Sequence, residues 1–101
     1  MHNNNIDDIT VLEKVKFEKL QELYLGRNNI SDITPLEKAN FKELEILNLS
    51  ENNISNIDSL KKVHFCKLKI LDLSSIKIKS DKIKEINFND IFKELKKLRL
   101  Y

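Results

Sequence analysis

Glycine, proline, cysteine and tryptophan are almost missing from this chain, which has one Gly, one Pro, one Cys and no Trp in 101 residues. A hairpin-rich sandwich or a phosphate-cradling loop needs several backbone positions that only Gly tolerates, so both are excluded. Corners must be built by other side chains. The single Cys66 cannot close an internal disulfide, in keeping with a reducing compartment. No apolar run approaches the ~18 residues of a membrane helix, and Met1-His2-Asn3-Asn4-Asn5 lacks the basic head and apolar stretch of a secretory signal. A cytoplasmic or otherwise intracellular location without membrane contact is the expectation.

What is present is charge and medium-sized aliphatic residues. Charged residues make up 34% and the AVILMFWYC class 41%, which excludes both a membrane span and a disordered tail. The net charge of +2 hides an asymmetry. Residues 1–50 carry six Lys/Arg and nine Asp/Glu, net −3; residues 51–101 carry twelve and seven, net +5. A basic half can meet an acidic partner or nucleic acid. Only two of the eighteen basic residues are Arg, the side chain suited to bidentate phosphate contacts, which favours a solvated lysine surface over nucleic-acid binding.

The chain matches itself at a fixed offset, the separation of Phe17 from Phe41 and of Phe41 from Phe65, and so carries a 24-residue repeat. Phe17-Glu18-Lys19-Leu20-Gln21-Glu22-Leu23-Tyr24-Leu25 aligns without gaps with the stretches from Phe41 to Leu49 and from Phe65 to Leu73. A fourth copy, Phe92 to Leu100, arrives three positions late, the lengthening falling between Ile78 and Phe92. Asn4, Asn28 and Asn52 share the period, as do Ile6, Ile30, Ile54 and Ile78, and Leu12, Leu36 and Leu60. The Asn-x-Ser matches at Asn29, Asn48 and Asn53 read as by-products of this repetition.

Each unit has a physical reading. Leu23-x-Leu25 alternates as a short strand with one buried face. Asn28 or Asn52 follows three residues later, where an inward amide satisfies peptide groups that a glycine-free corner leaves unpaired. Thr10-x-x-Glu13 and Thr34-x-x-Glu37 have capping-box spacing, Asp58 occupies the equivalent place, and Pro35 suits the first helical position. A helical return of about two turns is predicted from there to the recurring Phe. One such unit cannot bury its stripe alone, but stacked units can, with parallel strands on one side and helical returns on the other.

Leu20-x-x-Leu23-x-Leu25-x-x-Asn28-x-Ile30 and Leu44-x-x-Leu47-x-Leu49-x-x-Asn52-x-Ile54 resemble the leucine-rich repeat signature at every defined position. The stretch Ile30-Ser31-Asp32-Ile33-Thr34-Pro35-Leu36 is similar to the phosphatase-regulator and internalin-like subclass, whose unit is typically two residues shorter. The resemblance implies an α/β solenoid, an arc of about four repeats with strands on the concave face and short helical segments on the convex face. Residues 1–101 are read as one domain, with a partial unit 1–16 and units from about 17, 41, 65 and 92, the last truncated after its strand. Ile76 replaces the third Asn, so the asparagine ladder should stop there. Ser80-Asp81-Lys82-Ile83-Lys84-Glu85-Ile86 suggests a fuller helix. The usual terminal caps are absent, and an unpaired last strand invites self-association.

The family is non-catalytic and usually binds other proteins through its concave face, so the resemblance implies a protein-protein interaction module without a cofactor. The alternative is a purely structural segment of a larger array. His64 and Cys66, at i and i+2, face each other poorly and have no third group to orient the imidazole, which argues against a nucleophile. A structural zinc would need four ligands, and no metal site is expected. Phe17, Phe41, Phe65 and Phe92 are read as core and not as a base-stacking platform. The candidate binding positions are the outward strand residues. They form two rows: Glu22, Ile46, Ile70 and Lys97, then Tyr24, Asn48, Asp72 and Arg99. Gly26, Ser50, Ser74 and Tyr101 continue the pattern. Ile46 and Ile70 are predicted to be exposed neighbours, flanked by an acid and by bases. Lys93, Lys96, Lys97 and Arg99 form the weaker nucleic-acid alternative.

Overall fold

The computed structural model describes residues 8–13, 19–39, 41–63, 65–78 and 87–100. Phe17, His64, Tyr101 and the helix expected over 80–86 lie outside these residues, as do Asn4 and Ile6. Strands β1 (Glu22–Tyr24), β2 (Ile46–Asn48), β3 (Ile70–Asp72) and β4 (Lys97–Arg99) form one sheet in chain order, every neighbouring pair parallel. Register follows the repeat units: Leu23 lies opposite Leu47 and Leu47 opposite Leu71, both 24 residues on, and Leu71 opposite Leu98, 27 residues on. The lengthening of the last unit falls in the return, so the pairing of β3 with β4 is unchanged.

Parallel neighbours require a crossover on each return. Among the described residues the returns carry single 3-10 turns, η1 (Thr10–Glu13) ahead of β1, η2 (Thr34–Glu37) between β1 and β2 and η3 (Asp58–Lys61) between β2 and β3, and a short helix, α1 (Phe88–Ile91), comes just before β4. The predicted two-turn helices are therefore one turn long. A unit that spends its length on a strand, a corner and an extended return has no room for more.

The capping boxes are also corrected. No side-chain cap bond is made at η2 or η3, and the Thr hydroxyls are not the caps. Asp32 Oδ1 instead accepts the Thr34 N–H at 2.9 Å, Asn56 Oδ1 accepts the Asp58 N–H at 2.9 Å, and Asp8 Oδ1 accepts the Thr10 N–H at 2.9 Å. These are Asx turns, recurring once per unit and placed two positions earlier than the capping-box spacing suggests. Pro35 does occupy the start of η2 and is buried. Glu37, freed from capping, accepts the Ser59 Oγ–H of the next unit at 2.7 Å.

Among the described residues the recurring apolar positions are buried in one cluster that runs through the units. Leu25, Leu49 and Leu73 are sealed, as are Ile30 and Ile54, Leu36 and Leu60, and Leu44 and Leu68. Phe41 and Phe65 pack with ring centroids 5.9 Å apart, and Phe92 is buried as well, so none of the three presents a face to a base. Columns thin out in the last unit, where Ile91, Leu95, Leu98 and Leu100 are only partly buried.

Apart from Ser59 in η3, the buried polar side chains among the described residues, Asn28 and Asn52, stand at the corners. Asn52 is buried; its Nδ2 donates to the carbonyls of Leu25 (2.9 Å), Leu49 (3.0 Å) and Ser50 (3.1 Å), and its Oδ1 accepts the Ile30 N–H (3.0 Å). Asn28 donates to Leu25 O and Gly26 O. The Asn52 amide thus fastens its own corner and the preceding one. At the third corner Ile76 offers neither donor nor acceptor, and the side-chain ladder stops as expected. The backbone ladder continues: Asn53 N donates to Ile30 O, and Lys77 N to Ile54 O. The turn itself is made by Arg27, Glu51 and Ser75, with φ of 57°, 53° and 56°. These left-handed residues occupy a region that favours glycine, yet none is Gly. The bonded carbonyls around them hold the conformation.

Exposed ion pairs decorate the same register. Arg27 with Glu51, Glu43 with Lys67 and Glu45 with Lys69 each join equivalent positions of successive units. Half-exposed pairs of this kind contribute little stability individually.

The corners and turns can be tested separately. Asn52→Ala orphans the Ile30 N–H and removes three carbonyl partners; at about 1–3 kcal/mol for an unsatisfied buried group, it should lower stability by about 2–4 kcal/mol in urea denaturation. Asn53→Ala, on an exposed neighbour, should change it by less than about 0.5 kcal/mol. The Thr34 backbone N–H, and secondarily its side chain, hold the Asp32 carboxyl below its usual range, and Thr10 does the same for Asp8. Because the folded values are depressed, the stabilisation is present above the unfolded pKa of about 3.9 and is lost as pH falls through the lower folded values. Asp8→Asn with Asp32→Asn keeps the acceptors, as Asn56 does, and should flatten the fall of the urea midpoint below about pH 4. An unchanged acid limb would show that these carboxylates do not contribute.

Candidate functional site

The strand face presents the two expected rows in register. Glu22 pairs with Ile46, Ile46 with Ile70, and Ile70 with Lys97; Tyr24 pairs with Asn48, Asn48 with Asp72, and Asp72 with Arg99. All eight positions are therefore brought onto one surface about 15 Å across, three inter-strand steps of about 4.8 Å.

Their environments differ from one edge to the other. On β1, Glu22 and Tyr24 are exposed, and Tyr24, at 41%, is the large apolar side chain most open to solvent among the described residues. The Tyr24 hydroxyl donates to Glu22 Oε1 at 2.9 Å. That bond, with slight burial and the carboxylate's charge, holds the phenol above its usual range. In the middle, Ile46 and Ile70 are half-buried. The expectation that they stand exposed is corrected: neighbouring strands lie close enough for the two side chains to cover each other. On β4, Lys97 and Arg99 are exposed and make no ion pair among the described residues.

Asn48 and Asp72 are held by residues that the alternation pattern alone does not single out as partners. Asn48 Oδ1 accepts both the Ser50 N–H (2.9 Å) and the Ser50 Oγ–H (2.7 Å); Asp72 Oδ1 accepts the Ser74 N–H (3.0 Å) and Oγ–H (2.7 Å). The signal is the Asn48-x-Ser50 and Asp72-x-Ser74 spacing, recurring at the repeat period. Both side chains are pinned by one oxygen, which directs the Asn48 amide nitrogen and the second Asp72 oxygen away from the serine. Gly26, an outward position by alternation, is buried instead. A Cβ there would lie 3.0 Å from Ser50 Oγ and 3.1 Å from Asn48 Oδ1. The position two residues beyond β1 thus suits a glycine, because the pinned pair of the next unit leans over it.

Cys66 is exposed, and His64 lies outside the described residues. Among the described residues no group of three His, Cys, Asp or Glu could hold a metal ion, and no helix is long and apolar enough to cross a membrane.

A stacked sheet in repeat register, with asparagine corners and single-turn returns, defines a class of repeat protein. The leucine-rich repeat family model matches residues 18–78, and the chain belongs to that family. Its structure is similar to that of an internalin, InlF, from Listeria monocytogenes, with a TM-score of 0.78 and 27% identity over 99% of this chain and 27% of that one. The chain therefore spans about a quarter of that relative's length. No curated protein matches it.

The covered glycine yields a test of the pinned serines. Gly26→Ala should weaken the Ser50 to Asn48 bond and lower the melting temperature by a few degrees, whereas Gly26→Ala with Ser50→Ala should recover most of the loss. Additive losses in that double-mutant cycle would show that the contact is not what keeps the position glycine.

Proposed function

We propose that this chain is a non-catalytic protein-interaction module that binds a partner protein through the strand face. The observation that carries the reading is the face itself: eight outward side chains in two registered rows, chemically graded across the sheet and mounted on a sealed aliphatic core. Asn48 and Asp72 are held in place before any partner arrives, which reduces the ordering loss on binding. The family likeness supports the same reading, since leucine-rich repeat modules generally act as interaction scaffolds.

The area sets a limit. Short strands over a width of about 15 Å offer a few hundred Å², below the ~800 Å² per partner of a standard interface. Binding by this face alone is therefore weak, and tight binding draws on neighbouring loops or further repeats. The second reading is a purely structural segment. The half-burial of Ile46 and Ile70 favours it, because that pair is already satisfied within the sheet.

The two readings part in one experiment. Tyr24→Ala combined with Arg99→Glu alters two exposed positions at opposite edges and should leave the melting temperature nearly unchanged. Under the interaction reading it reduces retention of co-purifying protein on the immobilised chain at least tenfold. Equal retention by the folded double variant would favour the structural reading. Substituting Ile46 and Ile70 is the poorer test, since their half-burial mixes stability with binding.

A further inference from the structure

The strand face changes sign from one edge to the other. β1 presents a carboxylate beside an exposed aromatic ring, Glu22 and Tyr24, joined by a 2.9 Å hydrogen bond. An acid next to a phenol ring is a receptor for an ammonium or guanidinium group, which gains both charge pairing and the ring face. β4 presents Lys97 and Arg99, exposed and without an acid partner among the described residues. Two cations together are a receptor for a carboxylate. Asp72 lies beside Arg99 in the register and offsets part of this field, but its Oδ1 is engaged by Ser74. Between the edges lie Ile46 and Ile70, apolar and half-buried.

The spacing selects the shape of what fits. Glu22 and Lys97 are three inter-strand steps apart in one row, about 14 Å at about 4.8 Å per step. An extended peptide advances about 3.3 Å per residue, so about four residues cover the distance. Side chains at i, i+2 and i+4 of an extended chain point to the same side. A helix would need about nine or ten residues to span the same gap and would present its side chains at a different spacing from the strand rows. We infer that the strand face takes an extended partner segment crossing the strands, with a cationic residue at i over β1, an apolar residue at i+2 over Ile46 and Ile70, and an acidic residue at i+4 over β4. This inference rests on the strand-face reading above and adds the chemistry of its partner.

The test uses three acetylated and amidated peptides, Lys-Ser-Leu-Ser-Glu, Lys-Ser-Leu-Ser-Lys and Glu-Ser-Leu-Ser-Glu, titrated into the full chain at low ionic strength. Binding is read from the NMR signals of Tyr24, Ile46 and Ile70. The mixed-charge peptide should bind at least tenfold more tightly than either like-charged one. Glu22→Lys should reverse the preference toward Glu-Ser-Leu-Ser-Glu, and Lys97→Glu combined with Arg99→Glu toward Lys-Ser-Leu-Ser-Lys; each substitution is at an exposed position, and the circular-dichroism spectrum confirms that the variant is folded. Equal binding of the three peptides, or no shift at the three reporters, overturns the inference. If that happens while Tyr24→Ala with Arg99→Glu still abolishes protein retention, the strand-face reading stands and only the peptide chemistry falls; if retention also survives, both fall.

Discussion

Everything in this molecule depends on satisfying the peptide groups at its corners. After each strand the chain turns out of the sheet, leaving buried carbonyls and N–H groups that water cannot reach and that are costly to leave unpaired. The amide of Asn52 meets this demand for two units at once, bonding Leu25 O in one and Leu49 O in the next while accepting the Ile30 N–H. A bond that spans units works only if the units are in phase. The ladder that fastens the first two corners therefore holds their units in phase; beyond Ile76, where it stops, backbone bonds such as Lys96 N to Lys69 O keep β3 and β4 in register across a longer return.

Register in turn makes the face. Because Leu23, Leu47, Leu71 and Leu98 lie opposite one another, the residues on either side of them must also line up, whatever they are. The rows from Glu22 to Lys97 and from Tyr24 to Arg99 are consequences of core packing and not of any attraction among their members. This separation lets the outward positions change without disturbing the fold. It also explains why the outer side chains run from acidic to basic while the inner ones are repeated nearly unchanged. The inter-unit ion pairs, such as Glu45 with Lys69, follow the same phase and do not set it, being half-exposed.

Much of this is legible in the sequence because repetition multiplies evidence. A single Leu-x-x-Leu-x-Leu is weak; three copies in phase, with Asn28 and Asn52 in step, define strands, inward faces and corners. Legibility fails where two local chemistries share one spacing. Thr34-x-x-Glu37 has the form of a capping box, but Asp32 lies two positions before Thr34 and its carboxylate reaches the same N–H first. The returns are shorter than expected for a related reason: an apolar period over so short a stretch does not distinguish a 3-10 turn from an α-helix. Gly26 points outward by alternation alone, although the chain there is already leaving the strand.

The sequence by itself determined the repeat, the inward and outward halves of each strand, the alignment of the rows and the place where the asparagine ladder stops at Ile76, since all of these follow from period and side-chain chemistry within one unit. Only the tertiary structure decided how open the outward residues are. Exposure of Ile46 depends on Ile70 one strand away, burial of Gly26 on Ser50 and Asn48, and the orientation of Asn48 and Asp72 on the serines two positions on. The first two are distances between atoms of stacked units and exist only once the stack has formed; the third is a local turn between residues two apart, signalled by the Asn48-x-Ser50 and Asp72-x-Ser74 spacing but aimed by the strand it closes.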